Sequence, residues 1–254
     1  MGIFAVSGSA SGIGAATRAL LEEQGHRVIG IDLRDAEVRA DLATPQGRDT
    51  TIVAVRQHCN DTLDGLVACA GVGPQVEPRA TIVSLNYFGA QTLLAGLRDC
   101  LTRSGGAAVA VSSNSATIPG IESDLVAACL ADDENTARRL ADELDGTRAY
   151  AGSKLALARW VRRNAPRAEW AGAGVRLNAV APGAVQTPLL QAGLDHPTFG
   201  PAIKGFPIPT GAFGTPAHIA AAIGFLLSRE ASFCCGSVLF VDGGTDALLR
   251  VDTF

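Results

Sequence analysis

The sequence predicts a doubly wound α/β fold in which one parallel sheet is covered by helices on both faces. Three observations predict it: short apolar runs alternate with helix-length segments, the first run ends in a glycine-rich turn, and the chain has 254 residues. Strands separated by helix-length segments are typical of βαβ units, whose right-handed crossovers place helices on both faces of the sheet. One α/β domain routinely reaches this length, so we expect a single Rossmann-type domain over residues 1–254.

The predicted strands are short apolar runs that stop at glycine, serine or a polar turn. They cover residues 3–6, 28–33, 66–70, 107–112, 175–180 and 238–241. Between them, helices are predicted at 15–24, after Pro45, at 86–101, at 150–170 and at 216–228. Gly25 suits the end of the first helix, and Pro45 and Pro216 suit the first turns of theirs.

The composition is that of a compact chain. Hydrophobic residues make up 47% and charged residues 18%, which excludes intrinsic disorder. No apolar run approaches the roughly 18 residues of a membrane span. The amino terminus carries no charged and then apolar signal peptide, so we expect a cytoplasmic protein with no membrane partner.

The charge pattern argues against nucleic acid as a partner. The net charge is −4, and the sequence has no clustered basic stripe. Two arginine pairs, Arg138-Arg139 and Arg162-Arg163, lie in acid-flanked helical sequence. We interpret them as solvated helix faces.

The cysteines and histidines do not form a metal-binding pattern. Six cysteines occur without a Cys-x-x-Cys pair, and four histidines are scattered. Neither a zinc site nor a disulfide framework has such spacing. We expect buried, reduced thiols and no metal.

The first predicted strand runs into a glycine-rich turn, Gly8-x3-Gly12-Ile13-Gly14. Glycines at this place let the backbone approach a pyrophosphate, which the free N–H groups of the following helix attract. Asp32 ends the second strand, where a carboxylate accepts the ribose hydroxyls and repels a 2′-phosphate. This favours NAD over NADP, although Arg34 lies two residues on. An ordinary strand-end turn residue is the alternative for Asp32.

Tyr150 and Lys154 are singled out by their rarity, since the chain has two tyrosines and two lysines against nineteen arginines. Their i, i+4 spacing places both on one helix face. Oxidation of a secondary alcohol needs a base, and a phenol with a pKa of about 10 becomes one when an ammonium stabilises the phenolate. A packed tyrosine beside a solvated lysine is the alternative.

These features, with several others, resemble the short-chain dehydrogenase/reductase family over nearly the whole chain. They follow one another in the family's order: the loop from Ser7 to Gly14, Asn86, Ser112-Ser113, Tyr150-x3-Lys154, Pro182-Gly183 with Thr187, and Val241-Asp242-Gly243-Gly244. Within the family, the chain resembles the bacterial branch of 3α-hydroxysteroid dehydrogenases and carbonyl reductases. That branch is indicated by the stretches 30–37, 86–90, 150–154 and 187–194.

The resemblance implies four catalytic residues. Tyr150 is the expected acid/base, and Lys154 lowers the pKa of that tyrosine and holds the nicotinamide ribose. Ser113 hydrogen-bonds the substrate oxygen, and Asn86 holds a water of a proton relay. The alternatives are a strand-end cap for Ser113, with Ser112 beside it, and an ordinary helix residue for Asn86.

The resemblance also implies the residues that bind NAD. Asp41 and Leu42 flank the adenine, Gly71 turns beside the ribose, and Thr187 contacts the carboxamide. The full set is Gly8, Ser11, Gly12, Ile13, Gly14, Asp32, Asp41, Leu42, Ala70, Gly71, Tyr150, Lys154, Pro182, Gly183 and Thr187. The family usually has Asn before the Ala-Gly pair, whereas this chain has Cys69, which we expect to affect local packing rather than activity.

Two variable segments are expected to decide specificity and assembly. Residues 188–212, the substrate segment, are rich in apolar side chains and are predicted to form a loop that closes over an apolar substrate, or one that only covers the core.

Residues 116–147, the inserted segment, lengthen the stretch before Tyr150. Leu125, Cys129, Leu140 and Leu144 recur there at helical spacing, which predicts two short amphipathic helices. The wider family packs subunits into tetramers in this neighbourhood, so we expect the insertion to favour a homodimer; a surface flap is the alternative.

The sequence thus predicts an NAD-dependent dehydrogenase/carbonyl reductase acting on a bulky apolar alcohol or ketone, with 3α-hydroxysteroids first. Aryl-allylic alcohols of the coniferyl type and terpenoid alcohols are the alternative substrates. An NAD-binding regulatory or scaffold protein is the alternative outside enzymes, and a metal-dependent dehydrogenase has no ligand set in the sequence.

Overall fold

The computed structural model describes residues 1–121 and 123–253, and within them one sheet contains seven parallel strands. The strands lie in the order β3-β2-β1-β4-β5-β6-β7. They are β1 (Ile3–Ser7), β2 (Arg27–Asp32), β3 (Val38–Arg39), β4 (Gly65–Ala68), β5 (Ala107–Val111), β6 (Arg176–Pro182) and β7 (Val238–Val241). The chain changes direction between β1 and β4, which is where such sheets bind ligands.

Helices connect the strands and cover both faces of the sheet. They are α1 (Gly12–Glu23), α2 (Pro45–Cys59), α3 (Ala80–Val83), α4 (Ala90–Gly96), α5 (Arg98–Thr102), α6 (Asp124–Leu130), α7 (Glu134–Glu143), α8 (Gly146–Asn164), α9 (Pro188–Asp195), α10 (Gly200–Lys204), α11 (Pro216–Leu227) and α12 (Thr245–Leu249). The predicted doubly wound α/β class is confirmed.

The helix predicted at 86–101 is differently built. Helical structure starts at Ala80, and a π-helical turn, Ser84–Gly89, separates α3 from α4. Such turns insert one extra residue into a helix and are frequent at functional sites. The helix predicted from Tyr150 begins earlier, at Gly146, because Asp145 caps it by accepting from the backbone N–H of Arg148 at 2.9 Å.

A cluster of buried side chains lies on each face of the sheet. One contains Leu66, Leu93 and Trp160, and the other contains Phe4, Val180 and Ile223. Strands β4 and β5 are buried at every position, as expected for parallel strands covered on both faces. The sheet therefore forms a rigid base from which loops carry polar side chains.

The structure agrees with the prediction for one variable segment and corrects the prediction for the other. In the inserted segment, two short helices form as expected, and Leu125 and Cys129 are fully buried. The prediction of a loop for the substrate segment is wrong in part, because α9 and α10 occupy residues 188–204. Thr187 starts α9 by accepting from the backbone N–H of Leu190.

No helix in the described ranges is long and apolar enough to cross a membrane. The six cysteines are free thiols, of which Cys59, Cys100 and Cys129 are buried and Cys235 is exposed. The expectation of general burial is wrong, because Cys69 and Cys234 are only partly buried and Cys235 is exposed.

Candidate active site

The glycine-rich turn after β1 brings two backbone segments into close contact. A Cβ on Gly14 would lie 2.1 Å from the carbonyl oxygen of Gly8, so a side chain there has no room. Gly8 itself has a left-handed φ of 71°. Ser11 precedes α1 without capping it through its side chain. The first-turn N–H groups therefore have no capping oxygen of their own and fit an anionic pyrophosphate.

Asp32 ends β2 with its carboxylate held by backbone groups. Oδ2 accepts from the N–H of Ala10 at 3.0 Å, and Oδ1 accepts from that of Leu33 at 2.7 Å. Asp32 is half-buried, whereas Arg34 is exposed. A fixed carboxylate at this strand end suits two ribose hydroxyls.

The strand β4 ends beside this turn. The hydroxyl oxygen of Ser7 accepts from the backbone N–H groups of Cys69 and Ala70, at 3.0 and 3.1 Å. Burial raises the pKa of the Cys69 thiol to about 12, which keeps this thiol protonated and unreactive. Asp41 accepts from the N–H of Ala43 at 2.9 Å, and thus stabilises its own turn while it borders the cleft.

The far end of the cleft is formed by the loop after β6. A Cβ on Gly183 would lie 2.6 Å from that of Asp242. Thr187 donates to the carbonyl of Val185 at 3.1 Å. A Cβ on Gly12 would lie 3.2 Å from the Thr187 methyl group, so this loop and the glycine-rich turn contact each other.

Tyr150 and Lys154 lie one turn apart on α8 and face the same cleft. The Lys154 ammonium is 5.9 Å from the centroid of the Tyr150 ring, and it donates to the carbonyl of Val111 at 2.9 Å. Burial lowers the pKa of Lys154 to about 8. A buried ammonium beside a phenol is the arrangement that acid/base chemistry needs.

The pKa of Tyr150 is raised rather than lowered in this structure. Burial of the phenol is the main cause, and a hydrogen bond with Ser113 acts in the opposite direction. Desolvation of the phenol therefore outweighs the hydrogen bond with Ser113. The phenol is held in its acid form.

Ser113 follows β5 and contacts Tyr150 directly. Its hydroxyl oxygen accepts from the N–H and from the hydroxyl of Ser115, at 3.1 and 3.0 Å. The Ser113 proton is thus left to donate to the phenol. Ser112 instead donates to the carbonyl of Lys154 at 2.8 Å. The two neighbouring serines therefore have distinct positions, and only Ser113 reaches the tyrosine.

Asn86 lies on the π-helical turn, fully buried behind the cleft. Its Oδ1 accepts from the N–H of Val72 at 2.9 Å, and its Nδ2 donates to the carbonyl of Val72 at 3.0 Å. Nδ2 also donates to the hydroxyl of Ser153 at 3.4 Å. A Cβ on Gly71 would lie 3.0 Å from Asn86 Oδ1 and 3.5 Å from Lys154 Nζ. Asn86 and Lys154 therefore approach the same backbone turn.

One cleft of about 290 Å³ brings these groups together. All fifteen residues predicted to bind NAD line it, as does Ser113; Asn86 alone lies behind its surface. Sequence reasoning missed several residues, and of these Ser115 and the Val111 carbonyl matter most. The sequence could have indicated Ser115 as the third serine in Ser112-Ser113-Asn114-Ser115. The role of a backbone carbonyl leaves no mark in the sequence.

Across residues 1–121 and 123–253, no group of three or more histidine, cysteine, aspartate or glutamate side chains could hold a metal ion. The ionisable groups that line the cleft in the described ranges are the phenol, the ammonium, the Cys69 thiol and the carboxylates already described. The arrangement can move a proton at a substrate oxygen beside a bound dinucleotide.

Comparison with known proteins identifies the protein family in which this arrangement occurs. Residues 4–187 match the model of the NAD dependent epimerase/dehydratase family, and residues 143–246 match that of enoyl-(acyl carrier protein) reductase. The chain is 46% identical to 3-alpha-hydroxysteroid dehydrogenase/carbonyl reductase of Comamonas testosteroni, with both chains covered completely. The chain belongs to the short-chain dehydrogenase/reductase family. The predicted family membership is thereby confirmed.

Two further relatives of this short-chain dehydrogenase/reductase support the assignment. Cis-4-hydroxycyclohexanecarboxylate dehydrogenase of Sinomonas cyclohexanicum is 33% identical over 96% of each chain. The crystal structure of the 3-alpha-hydroxysteroid dehydrogenase from Pseudomonas sp. B-0831, complexed with NADH, is 51% identical. It superposes with a TM-score of 0.97 over 99% of this chain and 100% of the other. The fold and the family are the same, so the chain is an oxidoreductase of this family.

Proposed function

We propose that the protein is an NAD(H)-dependent dehydrogenase/carbonyl reductase that interconverts a 3α-hydroxysteroid and its ketone. The observation that carries the proposal is the meeting of Ser113, Tyr150 and Lys154 in one cleft with the predicted nucleotide residues. The names of the relatives at 46% and 51% identity favour the steroid substrate. The whole chain is proposed to act as one dinucleotide-binding domain.

The cofactor site fits NAD(H) by its own geometry. The turn has no side chain at Gly8 or Gly14 that would keep a pyrophosphate from the backbone, and the held carboxylate of Asp32 would accept from ribose hydroxyls and disfavour a 2′-phosphate. When bound, the nicotinamide supplies the two-electron redox chemistry. Pro182, Gly183 and Thr187 are proposed to hold that end of the cofactor.

The proton is moved by the chain's own residues. In ketone reduction, Tyr150 donates its proton to the substrate oxygen while Ser113 hydrogen-bonds the same oxygen. The raised pKa of Tyr150 favours this acid form. In alcohol oxidation, Tyr150 must first lose its proton, and the Lys154 ammonium stabilises the phenolate. Asn86 is proposed to hold a water that links this pair to solvent.

NADH formation by the purified protein tests the function. We expect turnover of androsterone with NAD, with kcat/KM well above that for coniferyl alcohol. The reverse ranking would keep the chemistry and replace the steroid by an aryl-allylic alcohol. Tyr150→Phe removes the acid/base and should lower kcat by roughly 100-fold or more. An unchanged rate in that variant would contradict the assigned role.

We also propose a homodimer in the cytoplasm. The edge strand β7, the turn before it and α12 expose apolar side chains, among them Phe233, Leu239, Leu248 and Leu249. Such a surface fits a second copy of the chain. Light scattering at the mass of two chains supports this, whereas a tetramer overturns it. Cell fractionation tests the location.

A further inference from the structure

The inserted segment is tied to the relay residue Asn86 by one face of α7. Three polar residues on this helix are spaced by four: Glu134, Arg138 and Asp142. This spacing places them in one row on the helix. Each of them bonds to a different element of the molecule, and two of these elements directly precede or form the turn that carries Asn86.

Asp142 supplies the missing cap of α3. The local N-cap residue of that helix, Arg79, makes no capping bond through its side chain. Asp142 Oδ1 instead accepts from the backbone N–H of Ala80 at 2.8 Å, from 62 residues away. A carboxylate at a helix N-terminus satisfies a free donor and complements the helix dipole.

Arg138 reaches the π-helical turn itself. Its Nη1 donates to the hydroxyl oxygen of Ser84, the first residue of that turn. Ser84 is fully buried, although the body of Arg138 is exposed. Arg138 is exposed as predicted, and the end of its long side chain also reaches a buried hydroxyl. Asn86 lies two residues further along the same turn.

The third residue of the row anchors α7 to the body of the protein. Glu134 accepts two hydrogen bonds from Nη2 of Arg48 on α2, at 2.7 and 2.8 Å. Ala137 and Ala141, next to the row, are fully buried. Helix α7 is thus held by this ion pair and by its buried alanines. It can therefore keep α3 and the π-helical turn in place.

Placement matters at Asn86 because its amide makes three bonds at once. It exchanges two hydrogen bonds with Val72 and donates a third to Ser153, the neighbour of Lys154. A shift of about 1 Å at such a group can cost a catalysed reaction about 100-fold.

We propose that α7 positions the catalytic centre, with Arg138 and Asp142 as positioning residues that fix the π-helical turn carrying Asn86. This inference rests on the proposed function, since Asn86 receives its relay role there. It gives the inserted segment a role within its own subunit, whatever its effect on assembly.

Steady-state kinetics of the full chain with NAD and androsterone test the proposal. In Arg138→Met we expect kcat to fall about fivefold to tenfold through misplacement of Asn86, with the KM for NAD and the melting temperature nearly unchanged. Arg138→Lys keeps a donor for Ser84 and should restore most of kcat. Arg139→Met is the matched control, because Arg139 is exposed and pairs with Glu143 on the same helix at 2.7 Å.

Amide hydrogen exchange gives a second readout that does not depend on the substrate. Arg138→Met should accelerate exchange at residues 85–88, and Arg139→Met should not. Equal kinetics and equal exchange in the two variants would overturn the positioning role, as would a lower melting temperature that accounts for the lost activity. A wild-type protein inactive on every alcohol would refute the proposed function instead, and the exchange result would still decide the role of Arg138.

Discussion

The inserted segment and the substrate segment both lie beside the catalytic cleft, yet they contact the molecule in opposite ways. The inserted segment buries Leu125 and Cys129 and is bonded to distant elements through one row on α7. The substrate segment leaves Leu189 and Phe206 more than a third exposed. Its bonds to the body concentrate at its two ends. One segment is held by bonds to distant elements, and the other leaves apolar side chains exposed.

The substrate segment is anchored at its carboxyl end by the turn after β7. Thr245 donates to the carbonyl of Pro207 at 2.8 Å, and Thr210 donates its backbone N–H to the carbonyl of Gly243 at 3.1 Å. At its other end, Thr187 belongs to the predicted nicotinamide site. Movement between these two points would change the substrate space while leaving the catalytic residues on α8 in place.

A charge introduced at a buried position should give the largest difference in unfolding free energy between the two segments. Leu125 is 1% exposed and lies against Gly152 of α8, where an added Cβ would be 3.1 Å from its Cδ2. Leu125→Asp is expected to lower the free energy of unfolding by at least about 4 kcal/mol, since the carboxylate loses its water. Leu189→Asp, on the exposed side of α9, should change it by only about 0.5 kcal/mol. Urea unfolding measures both; equal losses would refute the contrast.

The second prediction concerns the ammonium on the helix that the inserted segment covers. The pKa of Lys154 is about 8 in the folded protein against 10.5 ordinarily, because burial disfavours the charge. Between these pH values the unfolded chain binds more protons, so the lysine's contribution to stability rises with pH. Relative to Lys154→Met, the cofactor-free wild type should gain about 3 kcal/mol from pH 8 to 10.5. A difference that stays constant across this range would contradict the lowered pKa.

The ion pair that anchors α7 should have an intermediate effect. Arg48 is almost fully buried, and its partner Glu134 is 21% exposed. Glu134→Gln leaves the arginine without its counter-charge and should cost about 1 to 2 kcal/mol. In the control, Glu143→Gln breaks an exposed i,i+4 pair and should cost under about 0.5 kcal/mol. If the two variants unfold at the same urea concentration, the anchoring role is wrong.

The smallest effect on stability, with a distinct effect on substrate binding, is expected at the anchor of the substrate segment. Gly243 has a φ of 69°, and a Cβ there would lie 2.5 Å from Thr210 Oγ1 and 2.7 Å from Ile208 Cγ2. Gly243→Ala should cost about 1 kcal/mol and raise the KM for the steroid severalfold, because the segment must move. Gly174→Ala shares the left-handed φ, at 79°, and meets nothing within 4 Å. It should lose less stability than Gly243→Ala, and the KM should not change.

The residues that the sequence predicts to bind NAD line one cleft, and they could be selected from the sequence for a physical reason. Gly8, Gly14 and Asp32 are set by local backbone demands that leave their mark in a few consecutive residues. Tyr150 and Lys154 were identifiable from rarity and helical spacing. The two-residue strand β3 was missed because it carries too little apolar sequence to form a pattern.

The remaining errors come from contacts between distant residues. The π-helical turn at 84–89 has no periodic signal of its own, and its support arrives from Arg138, 54 residues further on. Nothing near Arg138 in the sequence distinguishes it from Arg139, although one reaches a buried hydroxyl and the other stays in solvent. The substrate segment was predicted as a loop because its prolines and glycines hide two short helices that begin at such residues.

The bonds between α7 and residues far earlier in the chain also determine the order in which native contacts form during synthesis. The first five strands end at Val111, before any of α7 has been made. Asp142, which caps α3, is synthesised 62 residues after Ala80. At the usual rate of translation this takes on the order of 3 to 12 seconds. Contacts so far apart in the chain slow folding. During that interval the nascent α3 and π-helical turn lack these two partners, so this region completes its native contacts only after α7 has been made.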